Sequence, residues 1–97
     1  MNLRKLARGK PCMVRLPCCN HNPETTVLAH YRLAGTCGTG LKPPDALGAW
    51  SCSACHDECD RRTRRFENDF VRHAHAEGVL RTMYALIQDG WRMRCGN

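Results

Sequence analysis

Residues 51–60 read SCSACHDECD, from Ser51 to Asp60, and gather Cys52, Cys55, His56, Cys59 and Asp60 in one short stretch. An ordinary loop has no use for so many metal-ligand side chains. Cys52-x-x-Cys55 has the spacing of half a tetrathiolate zinc site, in which four sulfurs surround one ion. Laid on a helix, Cys52, Cys55 and Cys59 fall on one stripe, while His56 and Asp60, four residues apart, share the next. Cβ atoms so spaced lie about 6 Å apart, close enough to serve one ion. The stretch can therefore carry two sites. Thiolates suit zinc, and an imidazole with a carboxylate suits a harder ion such as magnesium or manganese. The plainer alternative makes His56 a surface hydrogen-bonder and pairs Asp60 with Arg64 one turn on.

The other half of the zinc site is expected from the N-terminal third: Cys12 with Cys19, or with Cys18 in its place. Such a staple suits a chain of 97 residues, read as one α+β domain over residues 1–97. Chains of this size bury only about 60–70% of their unfolded surface. Residues 1–11 read as a basic arm, 12–66 as zinc knuckle and core, and 67–90 as a C-terminal helix. Eight cysteines would also suit a secreted disulfide framework, with about 105 full pairings. The basic opening Met1–Lys10, however, lacks the apolar core of an export signal. A reducing cytoplasm, where clustered cysteines bind metal, is the expectation. No apolar run nears the roughly 20 residues of a membrane span, so no membrane association is expected.

The spare sulfurs, Cys37, Cys95 and whichever of Cys18 and Cys19 is left, are expected to be free thiols. Cys59 is either a substitute ligand or core. His73 and His75 sit about 200° apart on a helix and cannot easily share an ion. A net charge of +6 and a pI near 9.1 favour a polyanionic partner, with nucleic acid the usual one.

Outward from the metal-rich stretch, strands are expected at Cys12–Leu16, Thr25–Tyr31 and Ala49–Cys52. A long glycine- and proline-rich loop joins the last two. Helical structure should follow Cys52, and a long helix should run from about Asn68 to Gln88, ended by Asp89-Gly90. Its recurring Phe70, Ala74, Leu80, Met83, Tyr84 and Ile87 read as a core-facing stripe or, alternatively, as a surface for a partner helix and a homodimer.

A strand ending in His30, then a loop, a strand and a helix with a metal ligand make up the ββα-metal arrangement. Here the chain resembles the HNH (His-Me finger) nucleases, and more closely the small prophage-encoded nucleases of the YbcO type. The closer likeness is carried by CN-x-NPETTVLAHYRLAG-x-CGTG-x-KPPD from Cys19 to Asp45, and by CSACHDE with the following DRR from Cys52 to Arg62. It spans roughly residues 1–90.

The resemblance implies that His30 is the general base, that His56 is a ligand of the catalytic ion, and that Asp60 occupies a second-histidine position. Many family members put a metal-binding Asp or His just before the base, where this chain has Ala29; Asp45 is the nearest replacement. The implied activity is endonucleolytic hydrolysis of DNA with one magnesium or manganese ion. Arg32, Lys42 and Arg61 are candidates to grip phosphates. Two readings stand beside it: a zinc-stabilised DNA-binding module without catalysis, and a zinc-knuckle adaptor that binds protein through its last helix.

Overall fold

The protein is described by a computed structural model covering residues 2–90, so Cys95 lies outside the described residues. The chain forms a small α+β structure. Its elements are helix α1 (Leu3–Leu6), strands β1 (Val27–His30) and β2 (Gly48–Ser51), and helices α2 (Ser53–Cys59) and α3 (Asn68–Gln88). The two strands pair antiparallel, with Leu28 opposite Trp50 and His30 opposite Gly48.

Gly48 has a steric reason to be glycine. A Cβ there would come within 2.7 Å of Leu28 Cδ1, so only the bare backbone lets β2 lie against this strand. Asn22 sets the entry to β1 by accepting the Glu24 N–H at 3.1 Å, which closes the short turn Pro23–Thr25. The strand is thus shorter than expected, because Thr25 belongs to the turn.

The segment Cys12–Leu16 forms no strand. Val14 and Leu16 point inward and are 2% and 3% exposed, as alternation predicts. Arg15 between them has φ +58°, outside the extended region, which ends any ladder. One bond, from the Met13 N–H to the Trp50 carbonyl at 2.7 Å, ties the segment to β2.

Helix α3 spans the expected residues but presents a different face. Phe70, Leu80, Tyr84 and Ile87 are exposed, while Val71, His75, Gly78, Thr82 and Leu86 are buried. Close approach explains the choice. The Thr82 hydroxyl accepts the Trp50 N–H at 2.9 Å and donates to the Gly78 carbonyl at 2.8 Å, tying α3 directly to the β2 backbone. At Gly78 an added Cβ would stand 3.1 Å from the Met13 carbonyl oxygen and from Val14 Cα. We expect Gly78→Val to lower unfolding free energy by roughly 1–3 kcal/mol through overpacking, as read by urea denaturation. An unchanged midpoint would mean the contact yields freely.

Glu58 at the end of α2 is fully buried. It accepts from the Thr63 hydroxyl and from the backbone N–H groups of Arg65 at 3.1 Å and Phe66 at 3.3 Å. These donors, the Thr63 hydroxyl first, hold its carboxyl below the ordinary carboxylate range. The buried carboxylate thus gathers Thr63, Arg65 and Phe66 of the α2–α3 connection, ahead of α3, which packs chiefly on β2.

Candidate active site and metal centre

Cys12 and Cys19 come from the irregular N-terminal segment, Cys52 and Cys55 from the β2–α2 junction. Their four Sγ atoms all lie within 4.8 Å of one another. The geometry suits zinc. Zn–S bonds of about 2.3 Å set tetrahedral edges of about 3.8 Å, and Cys19 Sγ stands 3.7 Å from Cys52 Sγ. Cys52 is also the N-cap of α2, accepting the Cys55 N–H on its sulfur at 3.4 Å.

Crowded thiols share protons unequally. The Cys12 thiol is drawn down to about 4, chiefly by the Cys55 hydrogen bond, and the same bond with burial pushes Cys55 up. Of the two alternatives, Cys19 joins the quartet; Cys18 instead turns toward the Ala54 carbonyl at 3.9 Å. Burial raises the Cys18 thiol and pushes Cys59 up to about 12, so both stay protonated. The seven cysteines among the described residues, Cys37 included, form no disulfide.

His30 ends β1 at the mouth of two clefts. Its Nε2 lies 2.7 Å from Asp45 Oδ1, and Arg4 Nε lies 3.7 Å from the other oxygen of Asp45. With Asp45 ionised, Nε2–H donates and the Nδ1 lone pair is left as the acceptor. Asp45 reaches this place because Pro44 starts a short turn, Asp45–Leu47, immediately before β2.

On α2, His56 Nε2 and Asp60 Oδ2 are 3.2 Å apart. Two neighbouring ligands of an octahedral ion with bonds near 2.1 Å sit about 3.0 Å apart, so this pair fits one edge of a magnesium-like site. Magnesium commonly takes only one or two protein ligands and keeps several waters. Asp45 does not join the pair, since it is engaged with His30. Among the described residues the cysteine quartet alone brings three or more such donors within reach of one ion.

A cleft of ≈ 270 Å³ lies between His30 and the C-terminal end of α2, with Asp60, Arg61 and Arg72 among its walls and His56 outside them. Lys42 lines a second cleft of ≈ 520 Å³ on the Asp45 side, and Arg32 lines both.

Several contributors escape a reading of the sequence alone. His75 is buried and its Nε2 donates to the Ala29 carbonyl at 2.8 Å, bracing the strand end that carries His30. Its ring meets Tyr31 edge-on at 5.1 Å, and Arg72 lies over the Tyr31 ring, 4.6 Å from its centroid. The i, i+3 spacing of Arg72 and His75 was the available signal.

Burial holds the His75 pKa below its ordinary 6.5. Its depressed folded pKa means the unfolded chain takes the proton more readily, so stability present above about pH 6.5 is lost as pH falls. His75→Gln keeps an N–H for the Ala29 carbonyl and removes the titration. Thermal unfolding against pH should therefore lose less stability on acidification in the variant than in the parent. Parallel curves would exclude His75 as the source of the acid sensitivity.

The family model described as "Putative nuclease YbcO" matches residues 1–91. "Putative nuclease YbcO" of Escherichia coli (strain K12) is 52% identical over 90 residues, covering 92% of this chain and 94% of that protein. The protein of the same description from Enterobacteria phage 82 gives the same identity and coverage, 52% over 90 residues. A solved structure described as "Structure of a putative bacteriophage protein from Escherichia coli str. K-12 substr. MG1655" superposes with a TM-score of 0.78 at 45% identity, covering 90% of this chain and 98% of that one. No helix among the described residues is long and apolar enough to cross a membrane.

Proposed function

Since the chain belongs to the YbcO nuclease family, we propose that it is a metal-dependent endonuclease that hydrolyses DNA phosphodiester bonds. In this reading β1, β2 and α2 form a ββα-metal unit of the HNH type, zinc on Cys12, Cys19, Cys52 and Cys55 staples it, and His56 with Asp60 holds the catalytic ion. The observation that carries the reading is the 2.7 Å contact between His30 and Asp45 at the mouth of an arginine-lined cleft.

Asp45 fixes the tautomer of His30, so that Nδ1 offers its lone pair to a water molecule. His30 takes the proton of that water as its oxygen forms a bond to phosphorus and the P–O3′ bond breaks. Asp45 then faces a charged imidazolium and stabilises it, while Arg4 holds the carboxylate from behind. A divalent ion bound at His56 and Asp60 would supply charge neutralisation for the phosphoryl oxygens and the leaving 3′-oxygen. Arg32, Lys42 and Arg61 are the side chains that line the approach and attract the flanking backbone.

The test is nicking of supercoiled plasmid by zinc-loaded protein, with and without added magnesium or manganese. Nicking that requires the added ion supports the reading; equal nicking by the parent and His30→Ala overturns it. Omitting the ion is a cleaner control than a chelator, which would also strip the cysteines.

One observation favours the non-catalytic alternative, a zinc-stabilised DNA-binding module: Ala29 stands where many relatives of the HNH type have a ligand, which leaves two protein donors on α2. Salt-sensitive DNA binding without any cutting would select that alternative.

A further inference from the structure

Three features remain after the site is described: the exposed apolar stripe of α3, the spare thiols beside the cysteine quartet, and the arrangement of cations around His30. The last carries the argument furthest. The two clefts meet at His30 and Arg32 and otherwise have different walls. In the first, Arg32, Arg61 and Arg72 face one carboxylate, Asp60; in the second, Arg4, Arg32 and Lys42 face one carboxylate, Asp45. Cations therefore outnumber carboxylates three to one on each side of the proposed base. A ligand with a single phosphate would need only one such set.

Arg72 differs from the other cations in how firmly it is held. Its guanidinium lies 4.6 Å from the Tyr31 ring centroid, Tyr31 packs edge-on against His75 at 5.1 Å, and His75 is bonded to Ala29 at 2.8 Å. None of the ion pairs among the described residues uses Arg72. Arg61, by contrast, already donates to the Phe66 carbonyl at 3.2 Å. A stacked guanidinium with its fork uncommitted is preorganised for a phosphate oxygen pair.

We infer that Arg72 seats the phosphate next to the scissile one, with Lys42 receiving the neighbour on the other side, so that one polynucleotide strand crosses both clefts. This rests on the nuclease reading and adds a substrate geometry to it. Arg72 is a binding residue here; the proton chemistry stays with His30.

The experiment uses the zinc-loaded full chain and three variants, Arg72→Gln, Arg72→Lys and Arg64→Gln. Arg64 is exposed and lines neither cleft, so it removes the same charge elsewhere. Binding of a short labelled DNA duplex is titrated across a salt series without divalent ions, and cutting of closed circular plasmid is followed with manganese. Arg72→Gln should bind about 10–100-fold more weakly at low salt, the worth of a charge-assisted hydrogen bond. Its log–log salt slope should drop by about 0.9, one phosphate contact. Arg72→Lys should recover most of the slope, which a purely structural role would not predict. Cutting of the closed circle supports a strand that runs through both clefts; cutting found only at the ends of an added linear duplex overturns it. If the parent cuts and Arg72→Gln behaves like Arg64→Gln in slope and KM, the seat is wrong and the nuclease reading stands. If the parent binds without cutting and Arg72→Gln still loses the slope, the seat stands and the hydrolytic reading falls. A parent that neither binds nor cuts overturns both.

Discussion

Replacing His30 with alanine is expected to slow plasmid nicking by about 10²–10⁴-fold, the usual contribution of a positioned general base. DNA affinity measured without divalent ions should stay within a factor of a few, because the neighbouring cations are untouched. The expectation follows from placement. His30 is the last residue of β1, opposite a glycine, so its ring is held by the strand and by Asp45 and not by packing from the facing residue. Removing the ring leaves Asp45 with Arg4, an exposed pair whose loss or gain hardly affects stability. A thermal melt matching the parent would confirm that the loss is chemical. A His30→Ala protein that nicks as fast as the parent would remove the base from the mechanism.

Removing the thiolate site should have the largest effect on stability. Structural zinc contributes an apparent 10–16 kcal/mol or so in small domains, against a net stability of only about 5–15 kcal/mol for a whole fold. Cys55→Ser, or chelation of the parent, is therefore expected to abolish the cooperative melt followed by circular dichroism. Cys18→Ser should keep both the melt and one zinc per chain, because Cys18 lies off the quartet. The reason is geometric: the quartet ties residues 12 and 19 to residues 52 and 55, and Val14 and Leu16 of the inner core lie between the first two ligands. An apo protein that melts like the metal-loaded one would show that packing alone suffices.

Sulfur chemistry and punctuation were the most readable parts of the chain. CxxC with a distant cysteine pair points to one cluster because few other uses bring four thiols together in a reducing setting. The C-terminal end of α3 was readable because Asp89-Gly90 stops it. Which face of α3 turns inward was not, since it is chosen by close approach: Gly78, Thr82 and His75 are buried while the larger Leu80 and Tyr84 are exposed. Hydrophobic periodicity rewards size, and a helix lying directly on a strand backbone rewards smallness. Glu58 escaped for a related reason. It looks like a solvated acid in the first half of a charged run, and only the fold brings Thr63 and two backbone donors to it. The meeting of His30 and Asp45 depends on how a loop between residues 31 and 44 closes, and no residue pattern within that loop encodes it. The pairing of His56 with Asp60, by contrast, is a local matter of helical pitch and could be read directly.

Cys52 follows the last residue of β2, and its one sulfur both caps α2 and belongs to the quartet. An alkylating reagent that reached this sulfur would thus take the cap from the first turn of α2 and vacate a coordination corner in one event. The helix so released is the one that carries His56 and Asp60. The thiol quartet and the candidate pair His56 and Asp60 thus hang on a single mechanical joint.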